Sequence, residues 1–253
     1  MSDTHVFQRH ELKYLVDNRQ RELLEQGFRE HMVPDPHDRN TICNVYYDTP
    51  DFRLIRHSLE KPVYKEKMRL RSYGQAVPGD LVFLELKKKY KGIVYKRRIS
   101  IEEQAASAYL AGEGPLENQS QIAKEIAYFR AFYRKLVPAV YLCYDRSAFF
   151  SAEDPDLRIT FDRNICWRTE DLSLEAPPGG KQILKPSCSL MEIKAASAMP
   201  LWLVGILEEG EIRQCSFSKY GMAYRELRTS FGGRACEAGE KEYLTERRGV
   251  SCA

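Results

Sequence analysis

The stretch Lys67-Met68-Arg69-Leu70-Arg71 alternates charged and apolar side chains at every position. Successive side chains of a β-strand point to opposite faces, so this pattern predicts a strand with one charged and one apolar face. Arg69 and Arg71 share the charged face, and Met68 and Leu70 share the other. The stretch therefore predicts a sheet that packs on one side and carries guanidinium groups on the other.

The same alternation recurs along the chain. Glu85 and Lys87 alternate with leucines, and Glu192 and Lys194 lie on either side of Ile193. Period-two patterning of this kind predicts eight strands. Their ranges are 6–14, 42–48, 65–73, 81–90, 93–101, 139–150, 157–164 and 185–194.

Amphipathic periodicity predicts five helices among these strands. Asp17 is placed to cap the first, and Pro138 stops the long third helix. The helices begin at Asp17 and at Pro50 and span 119–136, 201–209 and 218–230. We expect one α+β domain over residues 1–230, dominated by an antiparallel sheet. Residues 231–253 are rich in Gly, Ala and charge and are expected to form a disordered tail.

Bulk composition excludes several classes of protein. The 253 residues include 39 Lys and Arg against 36 Asp and Glu, a net charge of only +3, which does not indicate a nucleic-acid or membrane-surface protein. The longest apolar stretch, 201–207, is far shorter than the roughly 20 residues of a membrane-spanning helix. The start of the chain lacks the apolar core of a signal peptide, so a soluble cytosolic protein is expected. The seven cysteines contain no C-x-x-C pair, which favours reduced thiols over disulfides or a zinc site.

The charged strand faces carry far more cations than carboxylates. One interpretation is the solvated outer face that antiparallel sheets ordinarily have. The other is an anion-binding inner face, because like charges opposite one another destabilise a sheet and arginine clusters match phosphate geometry. The face holds ten cations (Arg9, Lys13, Arg69, Arg71, Lys87, Lys96, Arg98, Arg146, Arg158, Lys194) and four carboxylates (Glu11, Glu85, Asp162, Glu192).

Closure of about eight such strands into a barrel would turn the charged faces inward. The result would be a basic tunnel with a small acidic region, a geometry that suits a string of phosphates. The carboxylates would suit divalent metal ions that bridge the protein to phosphate oxygens.

Seven motifs in order along the chain carry a family resemblance. They are Arg9-His10-Glu11-Leu12-Lys13-Tyr14, Tyr46-Tyr47-Asp48-Thr49, Arg69-Leu70-Arg71-Ser72-Tyr73, Phe83-Leu84-Glu85-Leu86-Lys87, Tyr144-Asp145-Arg146, Leu190-Met191-Glu192-Ile193-Lys194 and Phe217-Ser218-Lys219-Tyr220. Together they resemble the CYTH, or triphosphate tunnel metalloenzyme, superfamily. Within it the chain is most similar to the VTC-type polyphosphate polymerase domain. The hydrolytic branch opens with Glu-x-Glu-x-Lys, where this chain has Arg9-x-Glu11-x-Lys13, an exchange that removes a metal ligand and adds a phosphate clamp.

The resemblance implies roles for individual residues. Glu192 would hold Mn²⁺ or Mg²⁺, with Glu11, Glu85 and Asp162 as further acidic ligands. Ser218 would bind phosphate at a helix N-terminus or act simply as the N-cap. The implied catalytic residues are Lys13, Arg69, Arg71, Lys87, Arg146, Arg158 and Lys219, and the implied phosphate- or nucleotide-binding residues are Arg9, Lys96, Arg98, Lys194 and Ser218.

The activity implied by the resemblance is transfer of the γ-phosphoryl group of ATP to a growing inorganic polyphosphate chain. One alternative is an inorganic or nucleoside triphosphatase of the same fold. Another is a non-catalytic module that binds polyphosphate, inositol polyphosphates or RNA. RNA is disfavoured because no strand shows paired aromatics on which bases would stack. Without a spanning segment, the chain would either release polymer in the cytosol or dock on a membrane-protein partner.

Overall fold

The computed structural model describes residues 10–36, 40–196 and 198–231. These residues form ten strands and six helices. In chain order they are β1 (His10–Asp17), α1 (Asn18–Phe28), β2 (Met32–Pro34), β3 (Asn40–Asp48), α2 (Arg53–Leu59), β4 (Tyr64–Tyr73), β5 (Leu81–Tyr90), β6 (Ile93–Glu102), α3 (Glu103–Ala111), α4 (Gln121–Tyr133), β7 (Val137–Ser151), β8 (Arg158–Arg168), β9 (Lys181–Gln182), β10 (Cys188–Ala195), α5 (Leu201–Glu209) and α6 (Lys219–Phe231).

The prediction of an α+β fold with a large antiparallel sheet is confirmed. Each of the eight predicted strands and five predicted helices has a counterpart. The sequence patterns missed α3, whose alanine-rich stretch has little amphipathic contrast, and the short strands β2 and β9. Phe231, the first residue of the predicted tail, is the last residue of α6, and the rest of that tail, 232–253, lies outside the described residues.

The chain divides into two compact units. Of the described residues, the first unit contains 10–36, 145–165, 182–196 and 198–231, and the second contains 40–144 and 166–181. β7 and β8 each contribute residues to both units.

Hydrogen bonding orders the strands of the second unit as β7, β3, β4, β5, β6. The antiparallel register sets Arg69 of β4 opposite Glu85 of β5, and Glu85 opposite Arg98 of β6. A two-residue turn joins β5 to β6, and Lys91 (φ 46°) and Gly92 (φ 86°) both have the positive φ of a type I′ hairpin.

In the first unit the order is β1, β10, β8, β7, with β2 beside β7. Lys13 of β1 lies opposite Glu192 of β10, which in turn lies opposite Thr160 of β8. The described hydrogen bonds stop at β1 in this unit and at β6 in the other and do not close the sheet. Closure into a barrel therefore stays a prediction.

Each unit buries the apolar face of its strands under helices. In the second unit Met68 and Leu84 pack in one cluster with Phe129 of α4, and in the first Phe161 packs with Phe28 of α1. At about 25 cal/mol per Å² of apolar surface removed from water, these two clusters supply most of the favourable free energy of folding. With the apolar faces used for packing, the charged faces lie on the other side of the strands.

Asp17 and Asp48 each cap the start of a helix. The carboxylate of Asp17 accepts the backbone N–H of Gln20 at 2.8 Å, and the side chain of Gln20 accepts the backbone N–H of Asp17. This pair of hydrogen bonds confirms the predicted cap of α1. The fully buried carboxylate of Asp48 accepts the N–H groups of Leu54 (2.8 Å) and Ile55 (3.0 Å). Asp48 therefore fixes the start of α2 by satisfying donors that a helix N-terminus leaves unpaired.

The thiol prediction is correct for four cysteines and wrong for one. Cys43, Cys143, Cys166 and Cys215 are thiols, whereas Cys188 is disulfide-bonded. Among the described residues, none of the helices has the length and apolar character needed to span a bilayer.

Candidate functional site

A buried carboxylate is the centre of the charged face in the second unit. The side chain of Glu85 is 1% exposed. Its Oε2 contacts Arg69 Nη2 at 2.7 Å and Arg71 Nε at 3.9 Å, and its Oε1 contacts Lys96 Nζ at 2.5 Å. Three cations from two neighbouring strands thus converge on one carboxylate.

These neighbours keep Glu85 ionised. Burial acts to raise the pKa of Glu85, but Arg69, Arg71 and Lys96 outweigh it and lower the pKa to about 2. Burial also acts against the charge on Arg69, yet Tyr46 and Glu85 raise its pKa overall. Glu85 and Arg69 are therefore charged at neutral pH, whereas burial lowers the pKa of Lys96 to about 8.

Neutral side chains hold the two arginines in place. Arg69 Nη1 donates to the hydroxyl of Tyr46 at 2.9 Å. Arg71 donates from Nε to Asn44 Oδ1 at 2.9 Å and from Nη2 to the hydroxyl of Tyr144 at 3.2 Å. These guanidinium groups are pre-organised, which lowers the entropic cost of binding an anion.

Cations extend along the same face in rows across the strands. Lys67, Lys87 and Lys96 lie directly opposite one another on β4, β5 and β6, and Lys65 lies opposite Lys89. Like charges in opposition are destabilising, so these rows favour a bound polyanion. Over the described β4–β6 pairing the face carries two carboxylates, Glu85 and Glu102, and eight cations, namely Lys65, Lys67, Arg69, Arg71, Lys87, Lys89, Lys96 and Arg98.

A second network lies in the first unit around Asp162, which is fully buried. Arg146 donates to both of its oxygens, at 2.6 and 2.8 Å, and Lys219 donates to Oδ2. Lys219 is the first residue of α6, whose N-terminus is capped by Ser218 accepting the N–H of Gly221 at 3.1 Å. The capping role of Ser218 is thus confirmed, and phosphate binding by it stays a prediction.

Glu192 joins this network through longer contacts. Its Oε1 lies 3.3 Å from Lys219 Nζ and 3.5 Å from Lys13 Nζ, and its Oε2 lies 3.5 Å from Arg146. Lys13 also contacts Glu11 at 3.2 Å. Burial disfavours the charges here, but the opposite charges prevail, so the pKa of Glu192 is lowered and that of Lys13 is raised.

The carboxylates differ in their fitness as metal ligands. Both oxygens of Asp162 accept close hydrogen bonds, and Glu85 is enclosed by three cations. Glu192 and Glu11 make looser ion pairs and meet at Lys13. The described residues contain no cluster of three His, Cys, Asp or Glu that could hold a metal alone. Glu192 is also in contact with three cations, through ion pairs of 3.3–3.5 Å. A Mg²⁺-like ion that binds one or two carboxylates and completes its shell with phosphate oxygens and water would need no larger cluster, so metal binding by Glu192 with Glu11 stays a prediction.

Two further predicted site residues lie beside this network. Arg158 donates to Asp35 at 3.3 Å and stacks over the ring of Phe150 at 4.6 Å. Lys194 lies directly opposite Arg158 in the register of β10 and β8. Arg9 is outside the described residues.

Burial decides between the two interpretations of the charged faces. Arg71, Glu85, Asp162 and Glu192 are all buried, so the solvated outer face is the wrong interpretation for them. Charges are almost never fully buried unless paired, and these four belong to the networks described above. Lys96 and Arg98, on the last strand of the order, are exposed.

Sequence reasoning missed several members of the network around Glu85. Asn44, Tyr46 and Tyr144 position the arginines, but no period-two charge signal marks them. Lys67 lies two residues before Arg69 in β4, so the alternation of that strand already placed it on the same face as Arg69. The lysine rows become visible only with the strand register.

Comparisons with known proteins agree on one family. The family model of the VTC domain matches residues 8–228. Subunit 4 of the vacuolar transporter chaperone complex of Schizosaccharomyces pombe is 27% identical over 171 residues, and its counterpart in Trypanosoma cruzi is 24% identical over 161 residues. These matches cover 54% and 53% of this chain but only 23% and 20% of the relatives, so the chain spans a small part of their length.

A solved structure shares the fold. The crystal structure of a proposed adenylate cyclase from Bacillus halodurans superposes with a TM-score of 0.52 at 15% identity, covering 83% of this chain and 95% of that one. At this level of identity the likeness concerns the fold alone.

Proposed function

This chain belongs to the VTC-domain family, and from that premise we propose that it is a polyphosphate polymerase. It transfers the γ-phosphoryl group of ATP to the end of an inorganic polyphosphate chain. The observation that carries the proposal is the surplus of cations on the β4–β6 face, where rows of lysine continue from the Arg69–Arg71–Glu85 network. A linear polyanion longer than a triphosphate is the ligand that such extended rows would neutralise.

The reaction requires little proton transfer. A terminal phosphate oxygen of the polymer attacks the γ-phosphorus in line, a new P–O bond forms, and the bond to the β-phosphate oxygen breaks to release ADP. The attacking oxygen is already anionic, so positioning and charge neutralisation are the main requirements. Arg69 and Arg71 would orient the triphosphate as bidentate donors, because their guanidinium groups are held by Tyr46, Asn44 and Tyr144.

Lys13, Arg146 and Lys219 would contribute positive charge in the first unit, where Asp162 fixes Arg146 and Lys219. Mn²⁺ or Mg²⁺, held by Glu192 with Glu11, would supply charge neutralisation at phosphate oxygens. Asp162 and Glu85 would act as counter-charges that position cations, because their oxygens already accept bonds from arginine and lysine.

The decisive experiment incubates the purified chain with γ-³²P-labelled ATP and Mn²⁺. The proposal predicts label in a long polymer on a gel and formation of one ADP per phosphate incorporated. Release of labelled orthophosphate without polymer would instead identify a triphosphatase. Binding of polyphosphate without turnover would identify a binding module.

We further propose that the chain acts with a membrane-protein partner. The support is that its relatives are named as subunits of a transporter chaperone complex. Co-purification of the tagged chain with a membrane protein from its own organism tests this. Recovery of the active chain only in the soluble fraction, with no protein bound, would contradict it.

A further inference from the structure

An aromatic patch lies at one end of the charged face of the second unit. Tyr73, the last residue of β4, is 53% exposed, and its ring meets that of Phe83 edge-on with centroids 5.8 Å apart. The guanidinium of Arg98 covers Phe83, with Cζ 4.6 Å from the ring centroid. Leu81, on the same face of β5 two residues before Phe83, is 69% exposed.

The register makes this patch continuous with the charged network. Phe83 lies directly opposite Arg71, and Glu85 lies opposite Arg69. Tyr73 is two residues beyond Arg71, a separation of about 7 Å along a strand. One face of three strands thus runs from exposed aromatic and apolar side chains, through arginines, to rows of lysine.

We propose that Tyr73 and Phe83 form the nucleobase subsite of the nucleoside triphosphate substrate. This inference rests on the proposed function, because it takes the arginines as the triphosphate site. A nucleotide has a planar apolar base at one end and a polyanion at the other, which matches the order of chemistry along the face. Aromatic side chains bind bases of any sequence through their π-faces, and an adjacent arginine strengthens the contact.

The subsite also fixes the direction of the substrates. With the base at Tyr73, the ribose bridges to Arg71 and the triphosphate ends near Arg69, with its γ-phosphate facing the row of Lys67, Lys87 and Lys96. That row lies about 20 Å along the strand from Tyr73. The growing polymer therefore approaches the γ-phosphate from the lysine end, and ADP departs from the aromatic end.

The test compares two ligands that differ in the base. Binding of the non-hydrolysable β,γ-imido analogue of ATP and of inorganic tripolyphosphate is measured by calorimetry for the wild-type chain and for Tyr73→Ala. Loss of one base–aromatic stack costs about 1–3 kcal/mol, so the affinity for the ATP analogue should fall about fivefold to a hundredfold. The affinity for tripolyphosphate should change less than about twofold, because it has no base to stack.

Three variants control the comparison. Tyr73→Phe keeps the ring and should retain the affinity for the ATP analogue. Tyr128→Ala removes an exposed ring from α4, which packs on the opposite, apolar face, and should change neither affinity. Arg69→Ala should weaken both ligands.

The outcomes separate this inference from the function on which it rests. If the wild-type chain binds neither ligand, the proposed function fails. If it binds both and Tyr73→Ala weakens both equally, or neither, the nucleobase subsite is refuted and the phosphate site stands.

Discussion

Arg69 and Glu85 lie directly opposite each other on neighbouring strands and are joined by two contacts to one oxygen, from Nη2 at 2.7 Å and from Nε at 2.8 Å. The carboxylate is almost wholly removed from water, and Arg71 and Lys96 approach it as well. A single buried anion therefore organises three cations on a face that is rich in lysine and arginine.

Removal of this anion should destabilise the fold. In Glu85→Gln the three cations lose their counter-charge, and breaking a buried ion pair from one side costs roughly 3–5 kcal/mol. We expect the free energy of unfolding at pH 7, measured by urea denaturation, to fall by about 3 kcal/mol. Glu117→Gln removes an exposed carboxylate, is the matched control and should leave the free energy of unfolding unchanged. A loss no larger than that of the control would contradict the role of Glu85.

The same carboxylate predicts an acid dependence of stability. The pKa of Glu85 is lowered from 4.5 to about 2 in the folded chain. Above pH 4.5 the group is ionised in both states and its full contribution is present. As the pH falls from 4.5 toward 2 the unfolded chain gains the proton first, so the contribution is lost across that window. Urea denaturation at several pH values should show the difference between wild type and Glu85→Gln shrinking over this range, and a constant difference would contradict the assignment.

The apolar halves of the strands made much of this fold predictable. Met68, Leu84 and Leu86 are fully buried, as the alternation required, and the charged residues between them fall on the other face. The sequence could not show which charges pair, because Arg69 and Glu85 are 16 residues apart in the chain and are brought together only by the register of β4 and β5. Closure of the sheet depends on long-range geometry that alternation does not encode.

The aromatic subsite shows the same limit. Sequence reasoning looked for paired aromatics within single strands and found none. Tyr73 and Phe83 lie diagonally across two strands, so neither strand alone contains the pair. Only the register brings them together and places them beside Arg98.

Glu192 and Asp162 should respond differently to loss of charge. Glu192→Gln should raise the Mn²⁺ concentration required for half-maximal polymer synthesis about tenfold or more, because removing a metal ligand or its support typically costs that much affinity. Its thermal stability should also fall, because Lys219, Lys13 and Arg146 lower the pKa of Glu192 and so make its ionised form stabilising, but by less than in Asp162→Asn, since its ion pairs are longer, at 3.3–3.5 Å. Asp162→Asn should lower stability more, because Arg146 and Lys219 are then left buried without their closest partner. Mn²⁺ titrations and thermal melts of both variants check this. A larger Mn²⁺ requirement in Asp162→Asn, together with a larger loss of stability in Glu192→Gln, would exchange the two roles.

The lysine row should distinguish long polymers from nucleotides. Lys67 lies on the same face as Arg69, opposite Lys87. Lys88, the residue after Lys87, lies on the other face and forms an ion pair with Glu125 of α4 at 3.2 Å. A hydrogen bond to a charged group contributes about 1.5–3 kcal/mol, so Lys67→Gln should weaken binding of long-chain polyphosphate about tenfold or more. Binding of the ATP analogue should change less than about threefold, because its three phosphates end near Arg69. Fluorescence titrations measure both affinities, and Lys88→Gln is the control that should leave both unchanged. Equal losses of affinity for polymer and nucleotide in Lys67→Gln would show that the lysine row belongs to the triphosphate site and that the polymer binds elsewhere.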